Sequence, residues 1–121
     1  QITREIRYFM QRTKPEPKVY LSYQRIAMAG REDPELRITM DQALLWRTYD
    51  LDLCLGPYGQ LVLPEDMTLM EIKVPGTMPL WLAQTLSRHE IYRSSFSKIG
   101  TCYTRFILPD IFDKKVVTTH V

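Results

Sequence analysis

The chemistry open to this chain rests on a handful of charged and hydroxyl side chains: Arg25, Arg37, Glu71 with Lys73, and the neighbours Ser97 and Lys98. Glu71 and Lys73 lie two apart in residues 68–74. A period-two reading of that stretch puts Leu69, Glu71 and Lys73 on one side of a strand and Met70, Ile72 and Val74 on the other. The apolar side must be buried, which leaves a carboxylate and an ammonium together on the opposite side. By itself that is a solvated ion pair worth about 0 to 1 kcal/mol. Its interest comes from repetition, since Arg25 and Arg37 each stand on one face of a strand of their own.

Such faces have two readings. They are either the wet side of a sheet, or the lining of a cleft or barrel. Leu21 and Tyr23 share the side of Arg25, and Leu69 shares that of Glu71, so the faces are only half polar and suit a partly enclosed lining. Enclosed cations without a counter-charge cost several kcal/mol each, so a lining of this kind expects an anion. The arginine fork matches phosphate oxygens bidentately and lysine adds a mobile point charge, so Arg25, Arg37 and Lys73 together would make a phosphate-binding surface. Glu71 either neutralises its neighbours or holds a divalent cation that bridges phosphate oxygens. Ser97 and Lys98 offer a hydroxyl and an ammonium near the positive end of a helix. The plainer alternative there is an ordinary helix start, capped by Ser95 with Lys98 in solvent.

The elements that must hold these groups follow from periodicity. Residues 3–13 read as an amphipathic helix with Ile6, Phe9 and Met10 on one stripe and Thr3 as its cap. Residues 18–28 alternate and are β-prone, with Leu21, Tyr23 and Arg25 on one side. Residues 29–34 hold Gly30, Asp33 and Pro34 and form a turn. Strands are expected over 36–41, where Arg37, Thr39 and Asp41 make a polar face, and over 44–49, with Arg47 between Leu45 and Tyr49. A long loop with a short strand at 60–63 precedes the 68–74 strand, and Pro75 with Gly76 ends it. Pro79 opens a helix running to about His89. A last helix over 95–106 carries the stripe Phe96, Ile99, Tyr103 and Phe106, and 107–121 is expected to be a flexible tail. The order describes an α+β chain with an antiparallel sheet and flanking helices.

Composition sets the outer bounds. The 121 residues suffice for one core, and 45% apolar with 25% charged side chains is ordinary for a soluble domain. A net charge of +2 with scattered tyrosines disfavours a nucleic-acid partner. No apolar run of membrane-spanning length occurs, so no direct membrane insertion is expected of this segment. Cys54 and Cys102 are isolated thiols, which fits a reduced, cytoplasmic setting. The chain enters a helix directly from Gln1, as expected of a piece of a longer protein.

Four ordered motifs carry a resemblance to a known family. Tyr23-Gln24-Arg25, Leu36-Arg37-Ile38-Thr39-Met40-Asp41, Met70-Glu71-Ile72-Lys73-Val74-Pro75-Gly76 with Met78-Pro79-Leu80-Trp81, and Ser94-Ser95-Phe96-Ser97-Lys98-Ile99-Gly100-Thr101 resemble the VTC domain, a polyphosphate polymerase domain of the triphosphate tunnel superfamily. The resemblance implies an antiparallel sheet forming part of a tunnel-type barrel, charged inside and flanked by helices. It implies transfer of the ATP γ-phosphoryl group to a polyphosphate chain, with Mn2+ or Mg2+. It makes Arg25, Arg37 and Lys98 the catalytic phosphate-binding cations, with Tyr23 and Ser97 binding substrate beside them, and Glu71 the metal ligand. Lys73 joins the lumen by its position on the same face. Residues 1–121 correspond to the C-terminal portion of such a domain. A second copy or the missing N-terminal half is expected to complete the tunnel, and the fragment is expected to be inactive alone. The alternatives are a non-catalytic sensor of polyphosphate or inositol phosphates, and a triphosphate hydrolase of the same superfamily.

Overall fold

A computed structural model describes residues 1–111 of the chain. Helix α1 (Ile2–Thr13) comes first and ends where Lys14 turns left-handed. It starts one residue before the expected cap, so Thr3 lies inside the helix, and no side chain caps the terminus. Its apolar stripe is present, but none of its residues is buried.

Four strands follow in one antiparallel sheet: β1 (Tyr20–Ala29), β2 (Arg37–Arg47), β3 (Gln60–Leu61) and β4 (Leu69–Lys73). Central strand β2 pairs with β1 along one edge and with β3 and β4 along the other. The sheet is open, and the described strands do not close into a barrel. Two helices complete the order: α2 (Leu80–Arg88), which follows Pro79 and buries Leu82, and α3 (Lys98–Cys102). A π-helical turn, Tyr103–Ile107, continues α3, and helical structure extends to residue 111. The expected flexible tail thus begins as helix, and its remainder, 112–121, lies outside the described residues.

The two strands expected over 36–41 and 44–49 are one strand with a bulge. Ser22 pairs with Leu45 and Gln24 with Gln42, so Tyr23 alone faces two residues, Ala43 and Leu44. Ala43 absorbs the extra residue at φ 48°. Because strand side chains alternate, the extra residue switches which parity of β2 faces each side. Arg37, Thr39 and Asp41 lie on one face before the bulge, and Leu44 and Trp46 continue that same face after it. Arg47 is thereby sent to the opposite face.

One face therefore changes character along its length. At the far end Leu44, Trp46 and Val62 form a core with Cys102, joined by Leu21, Phe96, Phe106 and Ile107. Trp46 and Phe106 stack with centroids 4.7 Å apart. The helix stripe expected over 95–106 is only half right, because Phe96 and Phe106 face this core while Ile99 and Tyr103 are exposed. Cys102 is the fully buried member, and burial pushes its thiol pKa up. The other sheet face, expected to be buried, carries Ile38, Met40, Met70 and Ile72 half-buried, with Ile26 and Met28 exposed on the edge strand.

On that second face Arg47 is 1% exposed and organises the loop that follows β2. Its guanidinium donates to the carbonyls of Asp50 (2.9 Å), Gly56 (3.0 Å) and Tyr58 (2.7 Å), and lies over the Tyr20 and Tyr58 rings at 3.4 and 4.1 Å. Gly59 sits against the Trp46 carbonyl at φ 148°, an approach that a Cβ would block.

Candidate functional site

Three cross-strand rows build the charged end of the sheet. Arg25 pairs with Asp41 and Asp41 with Leu69; Ala27 pairs with Thr39 and Thr39 with Glu71; Ala29 pairs with Arg37 and Arg37 with Lys73. Directly paired residues project to the same side of a sheet. Arg25, Arg37, Glu71 and Lys73 consequently share one face with Asp41 and Thr39. The core end of that face is covered by α3 and the turn after it, and Lys98, the first residue of α3, reaches back from the cover onto the charged end.

Asp41 stands at the centre of that end. Its side chain is wholly buried and accepts from Arg25 Nε at 2.6 Å and Arg25 Nη2 at 2.7 Å, while Lys98 Nζ lies 2.8 Å from Oδ2. The bidentate Arg25 fork, with Lys98 beside it, outweighs desolvation and lowers the carboxyl pKa to about 2. Bonding to Asp41 raises the pKa of Arg25 in turn. Tyr23 lies beside both cations, with Arg25 Cζ 4.8 Å and Lys98 Nζ 4.9 Å from its ring centroid.

Toward the other end the face opens to water. Lys73 Nζ lies 3.3 Å from Glu71 Oε1, and both side chains are well exposed. Arg37 is exposed and has no ion-pair partner among the described residues. Among the described residues the face therefore carries Arg25, Arg37, Lys73 and Lys98 against Asp41 and Glu71, four cations to two anions.

Of the expected site residues, Tyr23, Arg25 and Lys98 form one cluster around Asp41, and Arg37, Glu71 and Lys73 form its open continuation. Lys98 does not stand in solvent, and Ser95 is not the cap of its helix. Ser97 holds that position, its Oγ accepting from Gly100 N at 3.1 Å. Its hydroxyl oxygen is thus already engaged by the helix. Asp41 is the residue that strand periodicity placed on a polar face without giving it a role. The available signal was its position at the end of the alternation Arg37, Thr39, Asp41, on the same parity as the cations.

As a metal anchor, Glu71 offers a single hard oxygen donor group, and no group of three or more His, Cys, Asp or Glu that could hold a metal occurs among the described residues. That donor set fits a Mg2+ or Mn2+ ion held jointly by one carboxylate, phosphate oxygens and water, and does not make an all-protein cage.

An α+β chain with an open antiparallel sheet, cationic on one face, is the class these observations define. Residues 1–107 match the VTC domain family model, and the chain belongs to the VTC domain family. No curated protein and no solved structure gives a significant match. No helix among the described residues is long and apolar enough to cross a membrane.

Proposed function

We propose that this chain supplies one wall of a phosphate-chain channel, and that the protein containing it transfers the ATP γ-phosphoryl group to polyphosphate. The observation that carries the reading is the convergence of Arg25, Arg37, Lys73 and Lys98 on one sheet face with two carboxylates among them. Phosphoryl transfer asks for positioning and charge stabilisation more than for a nucleophilic side chain. Arg25 and Lys98 would grip one part of the chain of phosphates and Arg37 with Lys73 the next. Tyr23 would bound the site, with Ser97 behind Lys98. Glu71 would hold one position of a Mg2+ or Mn2+ ion, which supplies further neutralisation of phosphate charge.

In this reading the sheet is part of a tunnel completed by strands supplied from elsewhere in the protein or by a second copy, and the chain alone is inactive. The protein would act in the cytoplasm. The test is incubation of the full-length protein with ATP and Mn2+, followed by gel electrophoresis with polyphosphate staining. A ladder of product is expected. Tight binding of tripolyphosphate without any product would instead favour a sensor of phosphate chains, a reading to which the open, solvent-facing Arg37 and Lys73 lend support.

A further inference from the structure

We propose that Asp41 is the positioning residue of this face: it holds Arg25 and Lys98 in the arrangement that receives phosphate, an inference that rests on the phosphate-chain reading above. Asp41 lies in the central strand with paired neighbours on both sides, Arg25 on β1 and Leu69 on β4, so its carboxylate is set by two ladders at once. The cations it binds are long side chains from separate parts of the chain, one from the edge strand and one from the start of α3. Without a fixed partner each would sample many rotamers, and binding an anion would have to freeze them. Asp41 accepts from Nε and Nη2 of Arg25 and forms an ion pair with Lys98 Nζ at 2.8 Å. Arg25 Nη1 has no hydrogen-bond partner among the described residues, and Lys98 Nζ has no ion-pair partner there besides Asp41, so both can donate to an anion.

The competing account is that Asp41 only offsets positive charge. The two accounts predict opposite signs. Arg25, Arg37, Lys73 and Lys98 with Asp41 and Glu71 sum to +2, and Asp41→Asn raises that sum to +3. Charge compensation alone then makes an anion bind more tightly, whereas loss of positioning makes it bind more weakly despite the added charge.

The experiment is calorimetric titration of inorganic tripolyphosphate into the full-length protein. Asp41→Asn is expected to weaken binding by about tenfold, equivalent to about 1.4 kcal/mol. Placed in an Arg25→Gln/Lys98→Met background, the same change is expected to shift Kd by less than about twofold, because its effect runs through those two cations. Asp41→Glu keeps the charge and moves the carboxylate by one methylene; weakened binding is expected, and it decides the matter if Asp41→Asn does not fold. Equal or tighter binding by Asp41→Asn, or unchanged binding by Asp41→Glu, overturns the positioning role while leaving the phosphate-chain reading intact. Failure of the parental protein to bind tripolyphosphate overturns that reading, and the role of Asp41 with it.

Discussion

Arg37 and Lys73 stand directly opposite each other across β2 and β4, a like-charge pair in the sheet's open end. Cross-strand like charges are destabilising. Glu71 relieves Lys73 at 3.3 Å, but Arg37 has no such relief among the described residues. A sheet that keeps this pair carries an electrostatic cost at the place where an anion would remove it.

Arg37→Ala should therefore separate stability from function. The thermal midpoint is expected to stay within the effect of about 0.5 kcal/mol, since the side chain is exposed and has no ion-pair partner among the described residues. Polyphosphate synthesis by the full-length protein is expected to be abolished. Product accumulating at the parental rate would remove Arg37 from the site.

Glu71→Gln keeps the size of the side chain and removes its charge. If Glu71 anchors a metal–phosphate complex, activity in a Mn2+ titration should require more metal to reach its half-maximal value, by about tenfold or more. An unchanged titration would leave Glu71 as the partner of Lys73 alone.

The buried ion cluster gives a pH dependence with a defined sign. The Asp41 pKa is lowered on folding to about 2, below its ordinary value, so the unfolded chain binds more protons in acid. The stabilisation is fully present above about pH 4 and is lost as pH falls from about 4 toward 2; from the size of the shift it is about 2 kcal/mol. Denaturant midpoints measured between pH 5 and pH 2 should fall for the parental protein through this window. Asp41→Asn should remove that part of the decline.

Arg47 is a purely structural cation. Arg47→Met leaves the carbonyls of Asp50, Gly56 and Tyr58 without their donor and removes two ring contacts, so a loss of about 2 to 4 kcal/mol is expected from urea unfolding. Tripolyphosphate affinity of the folded fraction should not change, because Arg47 lies on the face opposite Arg25.

Much of this site was legible in sequence because period-two alternation fixes faces. Arg25, Arg37, Glu71 and Lys73 were each placed on the charged side of their strands, and the register brings those sides together. The bulge at Ala43 was not legible: it needs only one small residue at positive φ, and alternation broken there reads as two strands. That hid the burial of Arg47 and the continuity of the charged face with the Leu44–Trp46 core. The role of Asp41 was hidden for a different reason, since an acid on a polar strand face looks solvated until Lys98, from a distant helix, is seen to cover it. The open sheet marks the remaining gap, because strand count in one chain does not specify closure into a tunnel.

A structure of the full-length protein with tripolyphosphate bound tests the central claim most directly. The account predicts the phosphate chain lying along the charged face, with oxygens about 3 Å from Arg25 Nη1, Lys98 Nζ and the Arg37 guanidinium. Tripolyphosphate bound elsewhere, with those three side chains as they stand without it, would contradict the account.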